Sequence, residues 1–131
     1  YRFYNQRILY PFGYGLSYNE WNISFISYTS LNLVLKVSNL GIVMSRSSQS
    51  ILIFLKPPPS SHNEGYPIKY LINFFKITLS SGTSQLVTFQ LKHKDFILYN
   101  SKLQPVILPF HYTLIYGPNE TKDCVSIQPP T

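Results

Sequence analysis

Between residues 31 and 38 apolar side chains occupy every second position: Leu31, Leu33, Leu35 and Val37, interleaved with Asn32, Val34, Lys36 and Ser38. Successive side chains of a strand point to opposite faces, so this period of two specifies a half-buried β-strand and excludes a helix. The same alternation returns at Val87, Phe89 and Leu91, with Thr88 and Gln90 facing away. Nothing in the chain sustains a helical period. It contains no alanine, the best helix former, and is rich in tyrosine, phenylalanine and β-branched residues.

The remaining strands follow from the same logic. Asn39-Leu40-Gly41 ends the first, and a polar stretch from Ser45 to Ser50 leads into Ile51 to Leu55. That run is apolar on both faces, as a central strand would be. Pro57-Pro58-Pro59 stops it, because proline cannot donate to a ladder. Residues 60–65 then read as a long exposed loop, launched by the prolines as an extended arm. Lys69 to Leu79 puts Leu71, Phe75, Ile77 and Leu79 on one face, and Ser80-Ser81-Gly82-Thr83 makes a turn. Lys92 to Leu103 connects to a last long strand, Tyr112 to Tyr116, and a tail follows Ser126 after one short edge strand. About seven strands in this length give an all-β, two-sheet antiparallel sandwich on the immunoglobulin or fibronectin type III scale. Tyr112 falls where the tyrosine corner of such a sandwich belongs.

Residues 1–21 behave differently. Eight aromatic residues, from Tyr1 to Trp21, are broken by Pro11, Gly13 and Gly15. Burying an aromatic ring is worth roughly 1.5–3 kcal/mol, so this segment is expected to pack on something. The resulting division is a linker segment at 1–21 docking on a preceding domain, a sandwich at 22–128, and a tail at 129–131.

Composition narrows the function classes. The net charge is +6, but the basic residues are scattered and nowhere denser than Lys92-His93-Lys94. A solvated surface is therefore preferred to a nucleic-acid face. No apolar run reaches the ~18 residues of a membrane helix, so no membrane partner is expected. The single cysteine, Cys124, allows no internal disulfide. No basic-then-apolar leader stands at the start, so any secretory signal is expected outside these residues. Two sequons, Asn22-Ile23-Ser24 and Asn119-Glu120-Thr121, make Asn22 and Asn119 N-glycosylation candidates in a secretory setting.

Catalytic patterns are missing. Glycoside hydrolysis needs two positioned carboxylates, whereas Glu20, Glu64, Asp95, Glu120 and Asp123 lie in loops or near ends. Asp95 beside His93 and Lys94 is suggestive, yet a solvated loop explains it. Gly15-Leu16-Ser17-Tyr18-Asn19 lacks the last glycine of a nucleophile elbow, and Gly13-Tyr14-Gly15 lacks the third glycine of a dinucleotide fingerprint. His62, His93, His111 and Cys124 are too dispersed for a local zinc motif. No catalytic residue, metal or cofactor is expected.

One stretch exceeds what composition explains: Leu9-Tyr10-Pro11-Phe12-Gly13-Tyr14-Gly15-Leu16-Ser17-Tyr18. It closely resembles the segment leading into the C-terminal fibronectin type III-like domain of glycoside hydrolase family 3 enzymes, and Tyr1-Arg2-Phe3-Tyr4 fits too. Val37-Ser38-Asn39-Leu40-Gly41 is similar to the family's strand ending in Asn-x-Gly. Residues 51–58 and 67–77 resemble two following elements of its β-xylosidase-like branch, and Ser81-Gly82 with residues 87–91 keeps step. The resemblance covers roughly residues 1–117. Two departures stand out: Ser47-Ser48-Gln49-Ser50 replaces an acidic element, and Pro109-Phe110-His111-Tyr112 replaces a Pro-Gly turn.

The resemblance implies that the catalytic aspartate and glutamate of such enzymes lie on a TIM-barrel domain and an α/β sandwich domain preceding this one. No residue here matches either motif. The expected role is therefore a non-catalytic accessory domain of a β-xylosidase- or β-glucosidase-like protein, stabilising its catalytic domains. Tyr10, Pro11, Phe12, Tyr14, Leu16 and Tyr18 are the expected docking residues. The rival is a free-standing module that grips oligo- or polysaccharide, or another protein, through exposed rings. His62, Asn63, Glu64 and Tyr66 form the candidate substrate-side loop, since sandwich loops cluster at the ends where a neighbour meets them.

Overall fold

A computed structural model describes residues 2–4, 6–118 and 124–130, without the side chains of Ser60, His62, Asn63 and Cys124. Its elements run β1 (Trp21–Thr29), β2 (Asn32–Asn39), β3 (Arg46–Lys56), β4 (Tyr70–Ser80), β5 (Ser84–Gln90), β6 (Leu98–Tyr99), β7 (Pro105–Val106), β8 (Tyr112–Gly117) and β9 (Cys124–Ile127). Among the described residues there is no α-helix, only two short 3₁₀ turns. A three-stranded sheet is ordered β1-β2-β5, a four-stranded one β4-β3-β8-β9, and β6 pairs with β7. The fold is an antiparallel, fibronectin type III-like sandwich, as the alternation required. The chain divides into two compact units, Gly15–Ile51 with Phe75–Leu91, and Tyr1–Tyr14 with Leu52–Phe74 and Lys92–Thr131.

In the first of these, the inward positions of β2 are those the alternation specified: Leu33, Leu35 and Val37 are fully buried. The register sets Leu33 against Phe89 and Leu35 against Val87 of β5, and Ile23 of β1 against Val37. Phe75 and Phe89 meet edge to face, 4.8 Å between centroids. Leu31 does not belong to the strand. It sits with Ser30 in the two-residue hairpin turn, both at positive φ (66° and 49°), as a turn matched to strand twist demands.

β1 was not legible as a strand, because a bulge shifts its register between Phe25 and Ser27. The extra residue breaks the period of two. The polar stretch 46–50 is likewise not a lead-in but the first half of β3.

In the other unit, Ile53 pairs with Tyr116 and Leu55 with Leu114, and Tyr112 of β8 with Ile127 of β9. Phe54, Leu55, Phe96, Tyr112 and Leu114 are fully buried. The Tyr112 hydroxyl accepts from the Leu108 N–H (3.1 Å) and donates to the Phe96 carbonyl (3.3 Å). A tyrosine hydroxyl returning to the backbone a few residues upstream is the tyrosine corner expected at this position.

Residues 60–65 are not the extended arm that the prolines suggested. Pro59–Glu64 winds into a 3₁₀ turn with proline in its first positions, ended by Gly65 at φ 81°. Proline is tolerated there because its missing N–H would be unsatisfied anyway, and glycine accepts a left-handed cap without strain. The Ser61 N–H and hydroxyl both donate to the Pro58 carbonyl (2.9 and 2.6 Å) and Ser61 is buried.

Candidate functional site

Exposed apolar side chains lie outside the strands. Among the expected docking residues, Tyr10, Phe12, Tyr14, Leu16 and Tyr18 are all exposed, Leu16 at 94%. Pro11 is only half-buried. A turn shapes this segment: the Tyr14 N–H donates to the Pro11 carbonyl (2.9 Å), with Gly13 at φ 83°, a conformation glycine adopts at no steric cost. Phe12 meets Phe54 edge-on at 6.0 Å. That contact anchors the turn and leaves Tyr10 and Tyr14 outward, their rings 5.1 Å apart and tilted by 41°. The two rings do not form a flat platform.

A second apolar group lies after β2. Leu40, Ile42, Val43 and Met44 are all exposed, Ile42 at 92%. Such a run would normally collapse or flex. Here a buried amide holds it: Asn19 Oδ1 accepts from the Met44 N–H (2.9 Å), and Asn19 Nδ2 donates to the Met44 carbonyl (2.8 Å) and to Asn39 Oδ1 (3.1 Å). Asn39 Oδ1 also accepts from the Gly41 N–H, while Asn39 Nδ2 donates to the Leu79 carbonyl (3.0 Å). The Leu40 N–H donates to the Glu20 carbonyl (2.8 Å). Buried polar groups fully satisfied in this way fix one arrangement. The 40–44 loop is therefore a rigid apolar projection, tied to the segment that carries Leu16 and Tyr18. The signal that pointed to it was Asn39-Leu40-Gly41, read only as a strand ending.

The substrate-side candidates fare unevenly. Tyr66 is buried and Glu64 exposed, while the side chains of His62 and Asn63 lie outside the described residues. Nearby, Arg2, Phe3, Pro67, Tyr70 and Tyr99 line a cleft of 270 Å³. The Tyr70 hydroxyl donates to the Asp95 carbonyl (2.7 Å), and burial, foremost, holds its pKa well above the usual value.

Asp95 itself is spent on structure: its Oδ2 accepts from the Lys92 N–H (2.8 Å), capping the 3₁₀ turn His93–Phe96. His111 Nε2 lies 2.7 Å from Gln128 Nε2. Among the described residues no three His, Cys, Asp or Glu side chains gather to hold a metal, and no helix is long and apolar enough to cross a membrane. Asn22 is exposed on β1. Asn119 lies outside the described residues.

An antiparallel sandwich closed by a tyrosine corner defines the class: a fibronectin-type β-module whose unused apolar surface is carried by irregular segments. Residues 50–120 match the family model of the fibronectin type III-like domain, and the chain belongs to that family. The thermostable beta-glucosidase B of Acetivibrio thermocellus is 31% identical over 115 residues, 79% of this chain and 15% of that protein. A beta-xylosidase of Formosa agariphila is 28% identical over 131 residues, 94% of this chain and 18% of its own length. The crystal structure of a beta-glucosidase from Listeria innocua in complex with gluconolactone superposes with a TM-score of 0.82 at 26% identity, covering 94% of this chain and 18% of that one. A periplasmic beta-glucosidase of Salmonella typhimurium also matches, at 27% identity over 117 residues. The resemblance carried by residues 9–18 thus points to the right family. In each case the chain spans under a fifth of the protein it matches.

Proposed function

We propose that this chain serves as the non-catalytic accessory domain of a β-glucosidase- or β-xylosidase-type glycosidase. It stabilises the catalytic domains of the same polypeptide, which hydrolyse O-glycosyl bonds. The observation that carries this reading is the rigid, exposed apolar surface of Leu16, Tyr18 and the 40–44 loop. Contiguous exposed apolar surface on a soluble module marks an interaction site, and a surface held by buried hydrogen bonds loses little entropy when it is covered. The relatives supply the partner, since more than four fifths of each lies outside the matched region.

The exposed rings of Tyr10 and Tyr14 extend the same role to the linker segment. Carbohydrate capture by a row of rings is the weaker reading, because these two rings are mutually tilted by 41°. In the 62–66 loop, Glu64, exposed at the end of its 3₁₀ turn, is the residue through which a substrate-side role is proposed. We place the protein outside the cytoplasm, in keeping with the periplasmic relative and the sequons.

The test removes the matching domain from the Listeria innocua beta-glucosidase and installs this chain in its place. Deletion is expected to lower the thermal midpoint and activity of the remainder, and the installed chain to restore both. The isolated chain is expected to hydrolyse no aryl β-glucoside or β-xyloside above background. Failure to restore stability, or turnover by the isolated chain, would overturn the reading.

A further inference from the structure

We propose that Asn22 is an N-glycan acceptor on an outer face of β1 and β2 that stays open to solvent. The inference rests on the extracytoplasmic reading above only for its setting. The residues argue for the site themselves. The sequon Asn22-Ile23-Ser24 is a chance-prone motif, but the strand geometry selects it. Ile23 is buried on the inner face of β1, so Asn22 and Ser24 project from the other face.

The positions flanking them are polar. Asn22 pairs with Ser38 and Ser24 with Lys36 on β2; Ser38, itself buried, shares a hydrogen bond with the Ser84 hydroxyl (2.8 Å), and an exposed apolar side chain, Leu86 opposite Lys36, lies farther across the face. Asn19 and Asn39 are buried and bonded, and Asn73 and Asn100 each accept from a neighbouring backbone N–H. Asn22 is exposed, and among the described residues no bond ties its side chain down.

β1 is also an edge strand, first in the order β1-β2-β5. An exposed edge invites pairing with another chain, and a bulky, solvated glycan beside it blocks that approach. Two residues, Glu20 and Trp21, separate Asn22 from Asn19, the residue that holds the 40–44 loop.

The step is a group transfer. The Asn22 amide nitrogen attacks the anomeric carbon of a lipid-diphosphate-linked oligosaccharide. A C–N bond forms, the C–O bond to the diphosphate breaks, the lipid diphosphate leaves, and the amide nitrogen gives up one proton to base.

The chain is expressed behind a secretion leader in yeast, with a sequon-bearing tag that reports entry into the lumen. Glycan release by amidase converts an occupied Asn22 to aspartate, read in the tryptic peptide spanning residues 8–36. Occupancy in the majority of tag-glycosylated chains is expected, with Asn22→Gln and Ser24→Ala each abolishing it. The glycosylated chain and Asn22→Gln are expected to unfold at the same midpoint. A bare Asn22 on chains whose tag is glycosylated would overturn the site. A midpoint lowered by the glycan would overturn the solvent-facing assignment. Neither result depends on whether the domain stabilises a glycosidase.

Discussion

The side chain of Asn19 forms a two-way bond with the backbone of Met44, accepting from its N–H at 2.9 Å and donating to its carbonyl at 2.8 Å. One side chain thereby does what a strand partner would do for a residue that has none. It gives the exposed 40–44 loop a single geometry. Replacing Asn19 with leucine strands the Met44 N–H and carbonyl and removes one of the donors to Asn39 Oδ1. Unsatisfied buried polar groups cost about 1–3 kcal/mol, so Asn19→Leu is expected to lose that much in denaturant unfolding. Amide exchange in the 40–44 loop should accelerate with it.

Gly41 serves the same contact by having no side chain. A Cβ there would stand 2.3 Å from Asn19 Cβ and 2.5 Å from its Cα, closer than real atoms approach. Because the obstacle includes backbone, no rotamer change relieves it. Gly41→Ala is expected to destabilise by about 1–3 kcal/mol, the usual range for overpacking. Gly15→Ala, with open space around the added methyl, should be near neutral.

Two tyrosines test the role of buried hydroxyls in opposite directions. The Tyr112 hydroxyl serves both Leu108 and Phe96, so Tyr112→Phe should lose about 1–2 kcal/mol. The Tyr28 hydroxyl is buried without a partner. Removing it relieves a desolvation penalty, and Tyr28→Phe should be neutral or stabilising in the same urea titration.

The strand pattern was legible where period and burial coincide. Leu33, Leu35 and Val37 could be assigned inward from sequence because β2 is regular throughout. β1 was hidden by its bulge after Phe25, and the 3₁₀ turn by a proline run that fits two conformations locally. The candidate site was half legible. The exposed rings of residues 10–18 announced themselves, but the 40–44 loop depends on bonds from Asn19 to residues 20 and 25 positions away, which no local pattern encodes. Tyr66, read as a loop tip, is buried, because aromatic character alone does not say which way a ring turns.

Alkaline stability follows from the tyrosines. Burial, as the leading cause, raises the pKa values of Tyr28, Tyr70 and Tyr112 above the ordinary value of 10.0. An acid whose pKa is raised in the fold keeps its proton longer folded than unfolded. The stabilisation is therefore complete below the unfolded value and is lost as pH rises through the folded values. Unfolding free energy should fall from about pH 10 upward, with a shallower slope in Tyr70→Phe.

In the proposed role the apolar surface is idle in the isolated chain and buried in the assembled protein. Leu16 and Ile42 are 94% and 92% exposed, so replacing both with lysine should shift the isolated chain by no more than about 0.5 kcal/mol, as for surface sites in general. The decisive measurement is the unfolding midpoint of the Leu16→Lys, Ile42→Lys chain, alone and installed in the Listeria innocua beta-glucosidase. An unchanged midpoint alone, with a clearly lowered midpoint when installed, is the expected result. Equal midpoints for variant and parent in both settings would contradict docking through this surface.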